Sequence, residues 1–168
     1  MSTLYVDTIN EKTSGNGIYM PGHVVQIVTD HLNTSVSTSS TSFSDTGLSA
    51  DITPKSSSSK FYIMVNLGVV STGLSNAVVF RLMRDTTEVG SGTGAGTQNA
   101  FLHAWQNSTS TQESYSNHYV DTPSSTTTIT YKLQWKMSGS ADTGYINRRN
   151  SDNYLVTSSN FTVMEIGG

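Results

Sequence analysis

One stretch near the carboxyl-terminal end decides the fold class: Ile129-Thr130-Tyr131-Lys132-Leu133-Gln134-Trp135-Lys136-Met137. Apolar and polar residues alternate along its whole length. Because a β-strand directs successive side chains to opposite sides, the stretch predicts a strand with one apolar face and one wet face. Lysine on the wet face also discourages edge-to-edge aggregation of strands.

A second run, residues 60–72, is apolar on both faces. One face carries the apolar residues Phe61, Ile63, Val65, Leu67 and Val69, and the other carries Tyr62, Met64 and Val70. A strand covered on both sides belongs in the middle of a sandwich or at a subunit contact. One sandwich core is not expected to absorb both this run and the face of Tyr131 and Trp135. The sequence therefore predicts association into a homotrimer.

Helical patterns are nearly absent from the rest of the chain, whereas short alternating runs of Val, Ile, Thr, Tyr and Phe are common. These runs predict strands at residues 4–9, 23–30, 48–53, 77–84, 100–106, 114–120, 144–147 and 160–166. Turn residues separate them, at Asp45-Thr46-Gly47, Pro54 with serines 56–59, Gly90 to Gly96, Pro123-Ser124-Ser125 and Ser138-Gly139-Ser140. The pattern predicts an all-β antiparallel sandwich or jelly roll, which we place at residues 23–168.

The composition is rich in hydroxyl groups and poor in charge. The 168 residues include 27 Ser and 24 Thr, but only 12% are charged, against about 25% in average domains. The net charge of −3 argues against a nucleic-acid binder and a polybasic membrane-surface protein, since both need a basic face. No apolar stretch approaches the length of a membrane-spanning helix. The composition therefore describes a β framework with a polar, weakly charged skin.

Motifs for catalysis are missing from the sequence. Cysteine is absent, which excludes disulfides, thiol nucleophiles and Cys-ligated zinc. The four histidines lack zinc-motif spacing, and no GxSxG elbow is present. The run from Gly90 to Gly96 fails both phosphate-loop patterns and predicts a surface loop. Asp142 and Asp152 lie in polar loops without the spacing of a calcium motif. We therefore predict no enzymatic activity, no cofactor and no metal.

Two groups of residues are candidates for surface binding. The first is aromatic and comprises Trp105, Tyr115 and Tyr119 on two predicted strands. Aromatic rings offer rigid contact area beside polar groups, so these residues predict either core and subunit packing or a sugar- or protein-binding surface. The second group is Arg148 and Arg149, which are either simply solvated or a rim contact to a partner carboxylate or an acidic glycan.

The first 22 residues differ from the rest of the chain. Leu4, Val6 and Ile9 form a short strand-like pattern, and Pro21-Gly22 marks a boundary before the main domain. A leader of this length cannot bury its own core. It is either a flexible arm or an element completed by other chains, and its apolar residues favour the second. The start lacks the basic and long apolar parts of a signal peptide, which predicts synthesis in a cytosol.

Several segments give the chain a family resemblance. They are Ser2-Thr3-Leu4-Tyr5-Val6-Asp7-Thr8-Ile9, Glu11 to Gly17, Pro21-Gly22-His23-Val24-Val25-Gln26, Asp45-Thr46-Gly47-Leu48, Ile52 to Lys60 and Phe161-Thr162-Val163-Met164-Glu165-Ile166. In them the chain resembles small virion proteins of tailed bacteriophages, especially marine cyanophages and their relatives. Its strand order and length also resemble the trimeric jelly rolls of the tumour-necrosis-factor and complement globular-head type.

The resemblance implies a non-enzymatic structural protein located in the virion. We expect a short trimeric tail fibre or head appendage that projects a β domain, with a host-surface glycan as a candidate partner. Residues 1–22 would then be an arm that attaches the protein to other virion proteins through Leu4, Val6 and Ile9. Two alternatives stay open at this point: a decoration or cement protein that stabilises the head, and a free carbohydrate-binding module.

Overall fold

The computed structural model describes residues 6–10, 20–73, 75–96, 98–106 and 112–168. These residues form eleven β-strands and no helix. The strands are β1 (Val24–Leu32), β2 (Val36–Thr38), β3 (Ser44–Ile52), β4 (Lys60–Ser71), β5 (Val78–Arg84), β6 (Thr87–Val89), β7 (Leu102–Ala104), β8 (Glu113–Asp121), β9 (Ile129–Met137), β10 (Gly144–Ile146) and β11 (Ser159–Ile166).

The strands form two antiparallel sheets packed face to face. Sheet A has the order β1-β11-β4-β10-β2, with β8 also paired to β4. Sheet B has the order β3-β9-β5-β6, with β7 also paired to β5. The predicted all-β antiparallel sandwich is therefore confirmed, and the jelly-roll topology stays a prediction.

A single core lies between the sheets and contains one face of each of the two strongest apolar runs. The inward side of β9, from Ile129 to Met137, is almost fully buried, and so are Phe61 and its neighbours on β4. The rings of Phe61 and Tyr131 lie with their centroids 6.0 Å apart. One face of each run is absorbed, because the two runs are the facing layers of the two sheets. The second face of β4, with Tyr62 and Met64, lies outside this core. The homotrimer stays a prediction.

Some sequence boundaries differ from the structure. Asp45-Thr46-Gly47 is not a turn but the first part of β3, where the pairing with β9 shifts in register. Gly47 has a φ of +97° there, which side chains with a Cβ rarely adopt. The strands β2 and β6 were not predicted. Within the predicted strand at 4–9, residues 6–9 form no strand, and residues 4 and 5 lie outside the described part.

Two buried carboxylates are satisfied by neighbouring strands and loops. Asp121 accepts hydrogen bonds from the Arg84 guanidinium at 2.8 and 2.9 Å and from the Tyr131 hydroxyl at 2.8 Å. Burial and this carboxylate raise the pKa of Tyr131 above its usual range. Glu165 is fully buried and accepts three hydrogen bonds, from the Gln26 amide, the Lys55 backbone N–H and the Ser59 hydroxyl. Both groups therefore hold separate segments together, Asp121 through an ion pair with Arg84 and Glu165 through hydrogen bonds from neutral donors.

Candidate functional site

The sandwich has two distinct ends, and the amino- and carboxyl-terminal segments of the domain meet at one of them. The strand β1 starts beside the last residue of β11, because Val24 pairs with Ile166. The Gly22 N–H donates to the Gly167 carbonyl at 2.6 Å, and the Gly167 N–H donates to the His23 carbonyl at 2.9 Å. We call this the terminal end. It also carries the loops 53–59 and 122–128, because Ile166 pairs with Lys60 and Ile52 pairs with Ile129.

The opposite end is built by the other set of strand connections. Tyr145 of β10 pairs with Ser71 at the end of β4, and Val78 pairs with both Met137 and Ala104. The segments 72–73, 75–77, 105–106 and 138–143 therefore lie together, and we call this the loop end. The segment 147–158 adjoins it on sheet A, since the Val69 N–H donates to the Thr157 hydroxyl and the Ser71 hydroxyl donates to the Arg148 carbonyl. The loop end is separated from the terminal end by the length of the strands.

Three of the predicted surface-binding residues share the loop end. Trp105 follows β7 with 58% of its surface exposed, and Arg148 and Arg149 follow β10. A further group was not predicted: Tyr154, Leu155 and Val156 are adjacent and all exposed. Three consecutive apolar residues in a Ser- and Asn-rich segment were the sequence signal that could have identified them.

Asn147 fixes the start of this loop. Its side chain is fully buried, its Nδ2 donates to the Leu32 carbonyl at 2.7 Å, and its Oδ1 accepts from the Ser159 hydroxyl at 2.7 Å. Its φ of +66° lies in the left-handed region, which asparagine tolerates better than most residues. The backbone leaving β10 is thus held in one direction, and this positions the arginine pair.

Both arginines are already engaged within the chain. The Arg149 guanidinium makes two hydrogen bonds to the Asp152 carboxylate, at 2.5 and 2.6 Å, and lies 5.2 Å from the Tyr154 ring centroid. Together with the Tyr154 backbone N–H, it lowers the pKa of Asp152 to about 2. Arg148 lies 4.2 Å over the Tyr145 ring and donates to the Arg149 carbonyl at 2.9 Å. An acidic partner would have to compete with these contacts.

The two predicted tyrosines lie elsewhere. Tyr115 and Tyr119 are on β8, half-buried, and both pack against the core from its margin. The Tyr115 hydroxyl donates to Glu113, and burial raises the pKa of Tyr115 above its usual range. Tyr119 lies under Gly90 of the loop after β6. The structure therefore does not place these tyrosines beside Trp105 on one exposed surface.

Two of the predicted attachment residues are described, and both are exposed. Val6 and Ile9 expose 51% and 54% of their surfaces, while Leu4 lies outside the described residues. Exposed apolar side chains are available to another protein, whereas the domain itself does not bury them.

An apolar row crosses the outer face of sheet A. Ile27 pairs with Met164, Met164 with Tyr62, and Tyr62 with Val120, so the four side chains lie side by side across β1, β11, β4 and β8. Ile27 is 55% exposed and Val120 is 47% exposed. The Tyr62 ring also stacks on His118, with 5.3 Å between ring centroids. The next cross-strand row on the same face consists of Thr29, Thr162 and Met64.

The two outer faces of the sandwich differ in charge. On sheet A, the side chains that β1, β11, β4 and β8 direct outward include a single formal charge, Lys60, at the edge. On sheet B, the outward side chains of β3, β9, β5 and β6 include the charged residues Asp45, Asp51, Lys132, Lys136, Arg81 and Glu88. Depletion of charge together with exposed apolar and aromatic side chains is typical of interface cores. The outer face of sheet A therefore has the character of a contact surface.

The remaining chemistry of the described residues is limited. Among them, no group of three or more His, Cys, Asp or Glu side chains is placed to hold a metal ion. No helix long and apolar enough to cross a membrane occurs in the same residues. No protein-family model matches the chain, and a search of curated proteins found no match either.

Proposed function

We propose that the chain is a non-enzymatic structural protein of a phage virion, a short trimeric tail-fibre or head-appendage protein. The amino-terminal arm fastens it to other virion proteins, and the loop end points away from the particle. The observation that carries this proposal is the position of the two sets of exposed residues. The arm enters the domain at the terminal end, whereas Trp105 and Tyr154 lie at the loop end. A protein attached by its arm would therefore present the loop end to its surroundings.

The outer face of sheet A supplies the argument for a trimer. An uncharged face with an apolar row suits contact with further copies of the same chain, since neither copy must desolvate a formal charge. Lys60 lies at the margin of this face, where its long side chain can stay in water. The strand order also supports the jelly-roll topology, because the described strands change sheet six times, between β2 and β3, β3 and β4, β4 and β5, β7 and β8, β8 and β9, and β9 and β10.

The arm is tested by removing residues 2–19 from the protein encoded by the phage. This deletion spares the Gly22–Gly167 hydrogen bond, so the domain is expected to fold. We expect a folded protein of unchanged oligomeric state that is missing from purified particles. The matched control is Tyr154→Ala, which alters the loop end and should be incorporated as the wild type is. Normal incorporation of the truncated protein would contradict the attachment role.

Removing the whole gene separates an appendage from a cement protein. An appendage that contacts the host predicts intact particles that adsorb poorly. A cement protein predicts heads that burst more easily under osmotic shock or heat, with normal adsorption of the survivors. A free carbohydrate-binding module predicts that the protein does not co-purify with particles at all.

A further inference from the structure

A shallow groove opens where the outer face of sheet B meets the loop end. Its volume is about 260 Å³, and its lining residues are Ala77, Val79, Gln98, His103, Trp105 and Ser138. Three strands bring these side chains together, because Val79 pairs with His103 across β5 and β7, and Ser138 directly follows β9. The groove is smaller than the roughly 300–1,000 Å³ of pockets for drug-sized ligands, so it suits a single small ring.

The two tryptophans of the chain serve different purposes. Trp135 is 2% exposed and stacks on Phe80 in the core, with ring centroids 6.3 Å apart. Trp105 is 58% exposed at the groove, although burial of a large aromatic surface is worth several kcal/mol (about 25 cal/mol per Å²). The domain therefore gains little from the exposed face of Trp105, and that face is free for a ligand.

Polar groups stand beside the indole ring without adding charge. His103 and Gln98 are exposed at the groove and offer ring nitrogens and an amide. The Ser138 hydroxyl accepts the Ala77 N–H at 2.9 Å, which leaves its proton available for donation. An apolar ring flanked by neutral hydrogen-bonding groups matches a ligand with one apolar face and a polar rim.

The nearest cations are turned away from the groove. Lys136 is the partner of Val79 on β9, but its ammonium lies 4.9 Å from the centre of the Phe43 ring. The Arg81 guanidinium lies 4.1 Å over the same ring and pairs with Glu88 at 3.5 Å. Both cations lie against the Phe43 ring, and none of the residues that line the groove is a Lys, Arg, Asp or Glu, so the lining favours a neutral ligand over an acidic one.

We propose that this groove binds a neutral sugar ring, a hexose or N-acetylhexosamine, with its apolar face stacked on Trp105. Its hydroxyl groups would exchange hydrogen bonds with His103, Gln98 and Ser138. This inference rests on the proposed function, because it gives the loop end of the appendage its ligand class. One ring on one tryptophan supports only weak binding, at about the millimolar level. Several copies on one assembly raise the overall avidity.

The test is a titration of the full-length protein with neutral hexoses and N-acetylhexosamines, followed by tryptophan fluorescence. Glucuronic acid serves as the acidic counterpart of glucose. We expect a saturable spectral shift with at least one neutral sugar, and no tighter binding of glucuronic acid. Trp105→Ala should weaken the binding, measured by calorimetry, by about tenfold or more. Tyr154→Ala, which removes another exposed aromatic ring from the same end, should leave it unchanged.

Three results would overturn the sugar site: no saturable binding of any neutral sugar, full binding by Trp105→Ala, or preferential binding of glucuronic acid. The near-ultraviolet circular dichroism of the buried Trp135 verifies that each variant is folded. The outcome is separate from the test of the proposed function. If the protein does not bind sugar but needs its arm to enter particles, only the proposal of a sugar site is wrong. If it binds sugar but never enters particles, the proposal of a virion protein is wrong.

Discussion

Replacing Ile27 by lysine separates the stability of the domain from its self-association. Ile27 lies in the apolar row on the outer face of sheet A and is already 55% exposed in the single chain. A lysine there can extend its ammonium into water. Substitutions at such exposed positions usually change the free energy of unfolding by no more than about 0.5 kcal/mol. The domain should therefore keep its fold and a cooperative unfolding transition, and any fall in melting temperature should come from the lost association.

The same substitution has a much larger effect if this face is the subunit contact. A homotrimer would bury three ammonium groups, one from each copy. The outward side chains of the four strands offer no carboxylate to pair with them, and Lys60 has the same charge sign. An uncompensated buried charge costs about 3–5 kcal/mol, so three of them weaken the association by about 9–15 kcal/mol. Since 1.4 kcal/mol is a factor of ten, the trimer should dissociate completely at micromolar concentration.

Light scattering gives the mass of each variant, and thermal unfolding gives its stability. The matched control is Ser49→Lys, which adds the same charge at an exposed outward position of β3 on sheet B, and it should remain a trimer. The reasoning is refuted if Ile27→Lys has the mass of a trimer, because this face would then not be the contact. If the wild-type protein has the mass of a monomer, the proposal of a trimer is wrong.

Three further predictions concern the structure of the domain. Glu165→Gln places an amide N–H₂ among three donors and should lower the free energy of unfolding by about 1–3 kcal/mol; an unchanged denaturant midpoint would count against this. Gly68→Ala should cost a similar amount by overpacking, about 1–3 kcal/mol, because the new Cβ would lie 2.3 Å from the Thr157 hydroxyl. The pKa of Asp152, lowered from 3.8 to about 2, predicts an ion pair with Arg149 that is complete above the ordinary value and is lost as the pH falls toward 2. Carboxyl resonances in an NMR titration report this. Arg149→Ala should raise the pKa of Asp152 toward its ordinary value but not fully to it, because the Tyr154 backbone N–H still donates to the carboxylate.

The long strands could be predicted because their side-chain alternation is complete. The segment 129–137 is a strand with the predicted bounds, since every second residue is buried in the core. The start of β3 was misassigned because its sequence has turn chemistry. Within the strand, the Thr46 hydroxyl donates to the Leu133 carbonyl at 2.9 Å, and Gly47 supplies the unusual φ of a bulge. A local pattern does not distinguish a bulge from a turn, because both use the same residues.

The surfaces were less predictable, because they depend on which strands are neighbours. Phe101 and Trp105 have the same parity in the sequence, yet Phe101 is buried and Trp105 is exposed. The strand β7 between them is only three residues long, so alternation does not fix the environment of either side chain. The row from Ile27 to Val120 likewise joins residues that are far apart in the chain. It exists only through the pairing of four strands, which no single segment specifies.

The fold shows where the few charged residues of the chain lie. A content of 12% charged residues suggests a surface that is weakly charged everywhere, but the charged residues are distributed unequally between the two outer faces. Sheet B carries paired charges such as Lys132 with Asp45 at 3.2 Å, as expected of a face in contact with water. At the corresponding outward positions β1, β11, β4 and β8 of sheet A carry threonine, asparagine, serine, histidine, tyrosine and apolar residues, with Lys60 as the one formal charge. Solubility alone would predict charged residues on both outer faces. Contact with further copies of the chain through one face predicts a depletion of charge on that face only, as on sheet A.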